Sequence, residues 1–152
     1  MTTLSELTTA MEWLQAMRPL PADVTEELRQ RYEVSLTYHS TAIEGNTLTQ
    51  SETQIVIEKG VTIGGKSVRE HLEVIGHKEA VDFVIELASD QTPLGEREIR
   101  EIHSLVMKGQ ANGDSGIYRT LDVEAAGTDD VYPSHLKVPE LVAEFVASDG
   151  YC

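Results

Sequence analysis

Ser40-Thr41-Ala42-Ile43-Glu44-Gly45-Asn46 is the stretch on which the fold of this chain turns. Upstream of it, Val24, Leu28, Tyr32, Leu36 and Ile43 recur at helical spacing, which predicts a long helix over residues 23–44. Residues four apart are neighbours on a helix surface, so Ser40 and Glu44 face one target together. Gly45 takes positive φ without a Cβ penalty and marks the C′ position at which the helix ends. A hydroxyl and a carboxylate therefore share one side of a helix terminus, with the acid ready to pair with a basic group elsewhere.

Working outward, residues 4–17 form a shorter helix stopped by Arg18-Pro19-Leu20-Pro21. Thr49-Gln50-Ser51-Glu52 and Ser67-Val68-Arg69-Glu70 are capping boxes, each hydroxyl and carboxylate satisfying a free backbone N–H. The first opens a helix that ends by Gly60, and the second opens one that runs to about Ser89. Val68, Leu72, Ile75, Ala80, Phe83, Val84 and Leu87 form the apolar face of this second helix. Residues 61–66 between them are a turn or a small hairpin.

Thr92-Pro93 starts a further helix, with proline where its missing N–H is harmless. Ile99, Ile102, Leu105 and Val106 make its buried stripe, and Gly109 ends it. Residues 109–133, rich in Gly and Asp, predict a loop followed by a short hairpin at 123–132 around Ala126-Gly127-Thr128-Asp129. A last helix covers 138–147 and stops at Gly150. No internal repeat and no low-complexity tract occurs.

Composition narrows the function classes. A chain of 152 residues supports one compact domain, or one and a half, with a real core. Its 26 acids against 12 scattered bases leave a net charge of −14, which speaks against a nucleic-acid footprint. No apolar run reaches the length of a membrane span. The start, Met1-Thr2-Thr3-Leu4-Ser5-Glu6, has neither the basic nor the apolar region of a signal peptide. Cys152 is the single cysteine, so neither a disulfide framework nor a thiolate metal site is available. The expected location is cytoplasmic.

The residues at 40–49, Ser-Thr-Ala-Ile-Glu-Gly-Asn-Thr-Leu-Thr, resemble the inhibitory helix of Fic-domain proteins, whose motif is Ser/Thr-x-x-x-Glu-Gly/Asn. Three later segments resemble, in order, the front of the Fic core. Residues 102–109 are similar to its early helix. Gly116-Ile117-Tyr118-Arg119 with Val123 and Gly127 is similar to the turn and flap hairpin. Tyr132-Pro133-Ser134 with Val138-Pro139-Glu140-Leu141 is similar to the exit from the flap.

The resemblance implies a mainly α, Fic-like helical bundle with one short β-hairpin flap. It divides into an N-terminal helical region carrying the inhibitory motif at 1–91 and a partial Fic core at 92–152. It also implies inhibitory roles for Ser40, Glu44 and Gly45, and a target-binding flap made by Val123, Ala125, Gly127, Val131 and Tyr132. The implied activity is protein adenylyl transfer, AMP passing from ATP to a protein hydroxyl, with ATP and Mg as cofactors of complete members.

The family's catalytic loop, His-x-x-x-Asp/Glu-Gly-Asn-Gly-Arg-x-x-Arg, finds no match here. His39, His71, His77, His103 and His135 lie in other contexts, and the only Gly-Asn pair is Gly45-Asn46. The expectation is a chain truncated before that loop, without catalytic residues, metal site or cofactor of its own, and inactive alone. In the family scheme Glu44 pairs with the loop's second arginine and occupies the place of the ATP γ-phosphate. Here the partner would come from another molecule. The alternatives are a non-enzymatic, antitoxin-like regulator that offers Glu44 in trans, and a helical protein-interaction module.

The remaining candidates have plain roles. His103 is a packed or capping residue, Glu73 and His77 form a solvated i,i+4 pair without further metal ligands, and Arg119 anchors the loop before the hairpin. The flap either accepts an extended partner by strand addition or is an ordinary packed hairpin. Val138, Leu141, Val142, Phe145 and Val146 give the last helix an apolar face, which predicts association with a protein partner or a second copy.

Overall fold

Local signals at the helix ends place most of the elements. The structure, a computed structural model, describes residues 4–109 and 114–148, so Gly150 and Cys152 lie outside the described residues. The chain divides into two compact units, residues 1–33 and 34–152, with the boundary inside the second helix. In the first unit α1, Leu4–Ala16, buries none of its side chains, and Trp13 stays 63% exposed. There α2, Ala22–Ile43, begins, its early turns carrying an Arg29 guanidinium bonded to both Glu26 and Glu33.

The second unit holds the end of α2, then α3 (Gln50–Lys59), α4 (Val68–Ser89), α5 (Glu96–Val106), a 3-10 turn (His135–Lys137) and α6 (Val138–Ser148). Both capping boxes form. The Thr49 and Ser67 hydroxyls accept the Glu52 and Glu70 N–H groups, and each glutamate returns a bond to the cap backbone. Gly60 ends α3 in the left-handed region at φ +62°. The core lies between α3 and α4, where Leu48, Val56 and Val74 meet with Ile57, Ile63 and Ile75 around them. His71 ties residues 61–66 to α4: its Nδ1–H donates to the Ser67 carbonyl and its Nε2 accepts the Ile63 N–H.

Four expectations need correction besides the α5 stripe, where Ile99, Ile102 and Leu105 are half-buried and Val106 is exposed. The buried side of α2 within the second unit is Val34, Thr37 and Thr41, whereas Val24, Leu28, Tyr32 and Ile43 are exposed. Threonine suits that side because Thr41 donates its hydroxyl to the Thr37 carbonyl at 2.9 Å, leaving the methyl to pack. In α4 the buried positions are His71, Val74, Gly76 and Ala80, while Val68 and Val84 are exposed. This helix packs against α3 on one side and α5 on the other, so no single stripe describes it.

The third correction concerns Thr92-Pro93, which does not open α5. Thr92 N–H bonds the Leu87 carbonyl and Gln91 N–H the Ala88 carbonyl, with Gln91 at φ +53°, so these residues close α4 in a Schellman motif. Helix α5 begins instead after Gly95, whose N–H is taken by the Glu98 carboxylate at 3.1 Å.

The last correction is the β-hairpin flap: no strand occurs among the described residues. Within the expected ribbon the Asp130 N–H bonds to the Thr128 hydroxyl instead, and just beyond it the His135 N–H bonds to the Asp122 carboxylate. An isolated two-stranded ribbon is marginal even with its ladder intact. Residues 122–134 form a loop.

Candidate functional site

The end of α2 is a Schellman motif. Asn46 N–H reaches the Thr41 carbonyl at 3.1 Å, Gly45 N–H reaches the Ala42 carbonyl at 3.0 Å, and Gly45 sits at φ +93°. Glu44 is therefore the C-cap residue, a carboxylate at the negative end of a helix with no basic residue in its last turn. That placement is electrostatically unfavourable. Glu44 is exposed and Ser40 half-buried, and among the described residues no hydrogen bond or ion pair engages the Glu44 carboxylate.

The following residues lock this terminus to α4. Asn46, 8% exposed, donates through Nδ2 to the Glu70 carbonyl at 2.9 Å and to Glu73 Oε2 at 3.0 Å. Its Oδ1 accepts the buried Leu48 N–H at 3.0 Å. Thr47 donates its hydroxyl and N–H to Glu70 Oε1 at 2.6 and 3.0 Å, while Ser67 donates both of its groups to Glu70 Oε2 at 2.8 Å. The Lys66 ammonium bonds the Thr47 carbonyl. One carboxylate thus caps α4 and tethers the α2–α3 connection.

These donors, the Thr47 hydroxyl foremost and then Ser67, pull Glu70 from 4.5 to about 2. Because the folded value is depressed, the contribution is complete above the ordinary range and is lost as pH falls through about 2. The drop in Tm between about pH 6 and about pH 3 should be smaller in Glu70→Gln than in the parent, as thermal melts at the two values will show.

A groove of about 340 Å³ opens beside the α2 terminus, lined by Ser40, Thr41 and Glu44, by Arg69, Glu73 and His77 of α4, and by Val106 and Met107. Glu73 and His77 are not a solvated pair. Glu73 Oε1 accepts Arg69 Nε at 2.8 Å, and His77 Nδ1 lies 3.1 Å from the Thr37 hydroxyl. Burial holds His77 below its ordinary range.

The groove's donor set does not fit a magnesium–nucleotide. Its single guanidinium is engaged by Glu73 through Nε, burial disfavours a charged imidazole at His77, and a polyphosphate would meet two carboxylates. Among the described residues no cluster of three or more metal-ligating side chains occurs.

The loop residues Val123, Ala125, Val131 and Tyr132 line a separate depression of about 460 Å³ together with Asp122, Glu124, Asp129 and Asp130. Gly127 turns the loop at φ +84°. Arg119 anchors it by donating to the Leu121 and Pro133 carbonyls, and Asp122 closes its base by accepting from the His135 N–H and ring. His103 accepts the Gly116 N–H at 2.9 Å through Nδ1, which ties the turn at Gly116 to α5. The depression shares no lining residue with the groove at Glu44.

Two residues that support the site are missing from the sequence reading, namely Asn46 as a tether and Gly76 as the contact point of α4 and α5. A Cβ at Gly76 would stand 2.2 Å from the Leu105 carbonyl oxygen. A lone glycine inside a helical pattern is the signal that marks such close approach.

No family model matches the chain. It is 36% identical over 111 residues to "Protein adenylyltransferase fic-1" of Caenorhabditis briggsae, covering 72% of this chain and 22% of that protein. It is 39% identical over 87 residues to "Protein adenylyltransferase Fic" of Nematostella vectensis, covering 57% of this chain and 20% of that protein. The chain therefore spans about a fifth of the length of the curated relatives it matches. Among solved structures, Fic-1 of C. elegans superposes with a TM-score of 0.69 at 28% identity over 87% of this chain and 38% of that chain. A Fic domain containing signaling protein of Bacteroides thetaiotaomicron superposes with a TM-score of 0.77 at 24% identity, over 91% of this chain and 55% of that chain. The latter likeness is one of fold. No helix among the described residues is long and apolar enough to cross a membrane.

Proposed function

The chain belongs to the Fic family, and on that footing we propose that it carries the inhibitory element of a protein adenylyltransferase and does not transfer AMP by itself. The observation that carries this reading is Glu44: an exposed carboxylate at the wrong end of a helix dipole, without a partner among the described residues, on the rim of a groove. Such an acid is unfavourable for the helix alone and suits a cation that arrives from elsewhere. The family relationship supplies the cation, a guanidinium of a catalytic loop whose motif is absent from residues 1–152. Paired with it, Glu44 takes the place of a terminal phosphate, and negative charge there opposes productive nucleotide binding. Ser40 lines the same groove, and Gly45 aims the acid by ending the helix.

Labelled ATP and candidate target proteins, incubated with this chain alone, should yield no transfer, and clear transfer would overturn the proposal. Added to an active Fic adenylyltransferase that lacks its own inhibitory helix, the chain should suppress labelling, and Glu44→Gly should abolish the suppression. Suppression unchanged by that substitution removes Glu44 from the mechanism.

A protein partner is favoured by α6, where Leu141 is 40% and Phe145 50% exposed on one helix, with Leu136 just before it 78% exposed. The loop at 122–134 is the proposed docking place for a target protein. If the α6 face is a partner surface, the isolated chain should bind a hydrophobic dye or sediment as a dimer. A dye-negative monomer by ultracentrifugation would discount it.

A further inference from the structure

Building on the proposed role of Glu44, we infer that Glu73 is a positioning residue for it, holding the groove's own arginine away from the inhibitory acid. Arg69 and Glu44 line the same groove, and a guanidinium is always charged, so Arg69 is the local cation able to neutralise Glu44 from within. It does not do so. Arg69 Nε donates to Glu73 Oε1 at 2.8 Å instead.

Two features make Glu73 the stronger competitor. Its side chain is only 16% exposed, so its field is less screened than that of the exposed Glu44. Its second oxygen accepts Asn46 Nδ2 at 3.0 Å, which fixes the carboxylate plane and leaves Oε1 turned to Arg69. The same bond ties Glu73 to the residue two places after Glu44, within about 7 Å of extended chain. Arg69 itself is 60% exposed, with room to swing once released.

Neutralising Glu73 therefore frees Arg69 to pair with Glu44, and an external guanidinium then finds its acceptor taken. Glu73 thus keeps the inhibitory carboxylate vacant. Glutamine at 73 is the informative substitution, because its carbonyl oxygen still accepts Asn46 while the charge that holds Arg69 is gone.

The test uses the full chain in the suppression assay above, together with the ¹⁵N signal of the Arg69 Nε–H. Glu73→Gln should raise the concentration needed for suppression about two- to five-fold, and adding Arg69→Ala should restore the parental value. A general loss of packing would not be rescued by removing a second side chain. The Arg69 Nε–H should stay protected from exchange in Glu73→Gln and lose protection in Glu73→Gln with Glu44→Gln. Parental suppression by Glu73→Gln, failed rescue, or an unprotected Nε–H in the single variant each overturns the inference. If Glu44→Gly leaves suppression intact, the inhibitory role fails instead, and the Nε–H signal still decides where Arg69 goes.

Discussion

Gly76→Ala should lower stability by about 2–3 kcal/mol, measured by urea unfolding, although alanine is the better helix former. In an exposed helix the exchange would gain about 1 kcal/mol. Here the added methyl stands 2.2 Å from the Leu105 carbonyl oxygen and 2.7 Å from Lys108 Cβ. The first obstacle is backbone, so relief requires α5 to move off α4 as a unit, and the packing between those helices is lost with it. The matched control is Gly64→Ala, whose new methyl meets nothing within 4 Å, and whose midpoint should scarcely change. Equal midpoints for the two variants would show that the α4–α5 contact has slack.

The second large effect belongs to Asn46→Ala, with an expected loss of about 2–3 kcal/mol by thermal melting. Three hydrogen bonds disappear, and the Leu48 N–H, on a residue 3% exposed, is left without its acceptor. Asn46→Asp separates the contributions. It keeps the acceptor for Leu48 but sets a carboxylate against Glu73 and the Glu70 carbonyl. That variant should be unstable near neutrality and recover on mild acidification, when the carboxyl can again donate. A flat profile would mean that the tether carries little of the stability.

What the sequence reveals here follows the range of the interactions. The capping boxes at Thr49 and Ser67, the Gly45 stop and the αL end at Gly60 involve groups within a few residues, so the pattern of residues is the mechanism. The tether at Asn46 joins residues 24 and 27 positions apart and becomes visible only once α4 lies beside the α2 terminus. The α2 face misleads for a chemical reason. Thr37 and Thr41 count as polar, yet Thr41 satisfies its hydroxyl on its own helix and both residues pack as small branched side chains. Thr92-Pro93 resembles a helix start, but its N–H is already committed to closing the helix before it. The apolar residues flanking Ala126-Gly127-Thr128-Asp129 suggest a ribbon, while Thr128 draws the Asp130 amide into a local bond. The acid at Glu44 was legible as a candidate, and the groove beside it needed the folded chain.

The position of Glu44 sets restraint against robustness. Because a negative charge weighs on the C-terminal end of α2, nearly any neutral replacement there would leave the molecule slightly hardier. A laboratory selection for heat resistance would therefore discard this residue early, and well-folded survivors would emerge without the acid that the proposed inhibition requires.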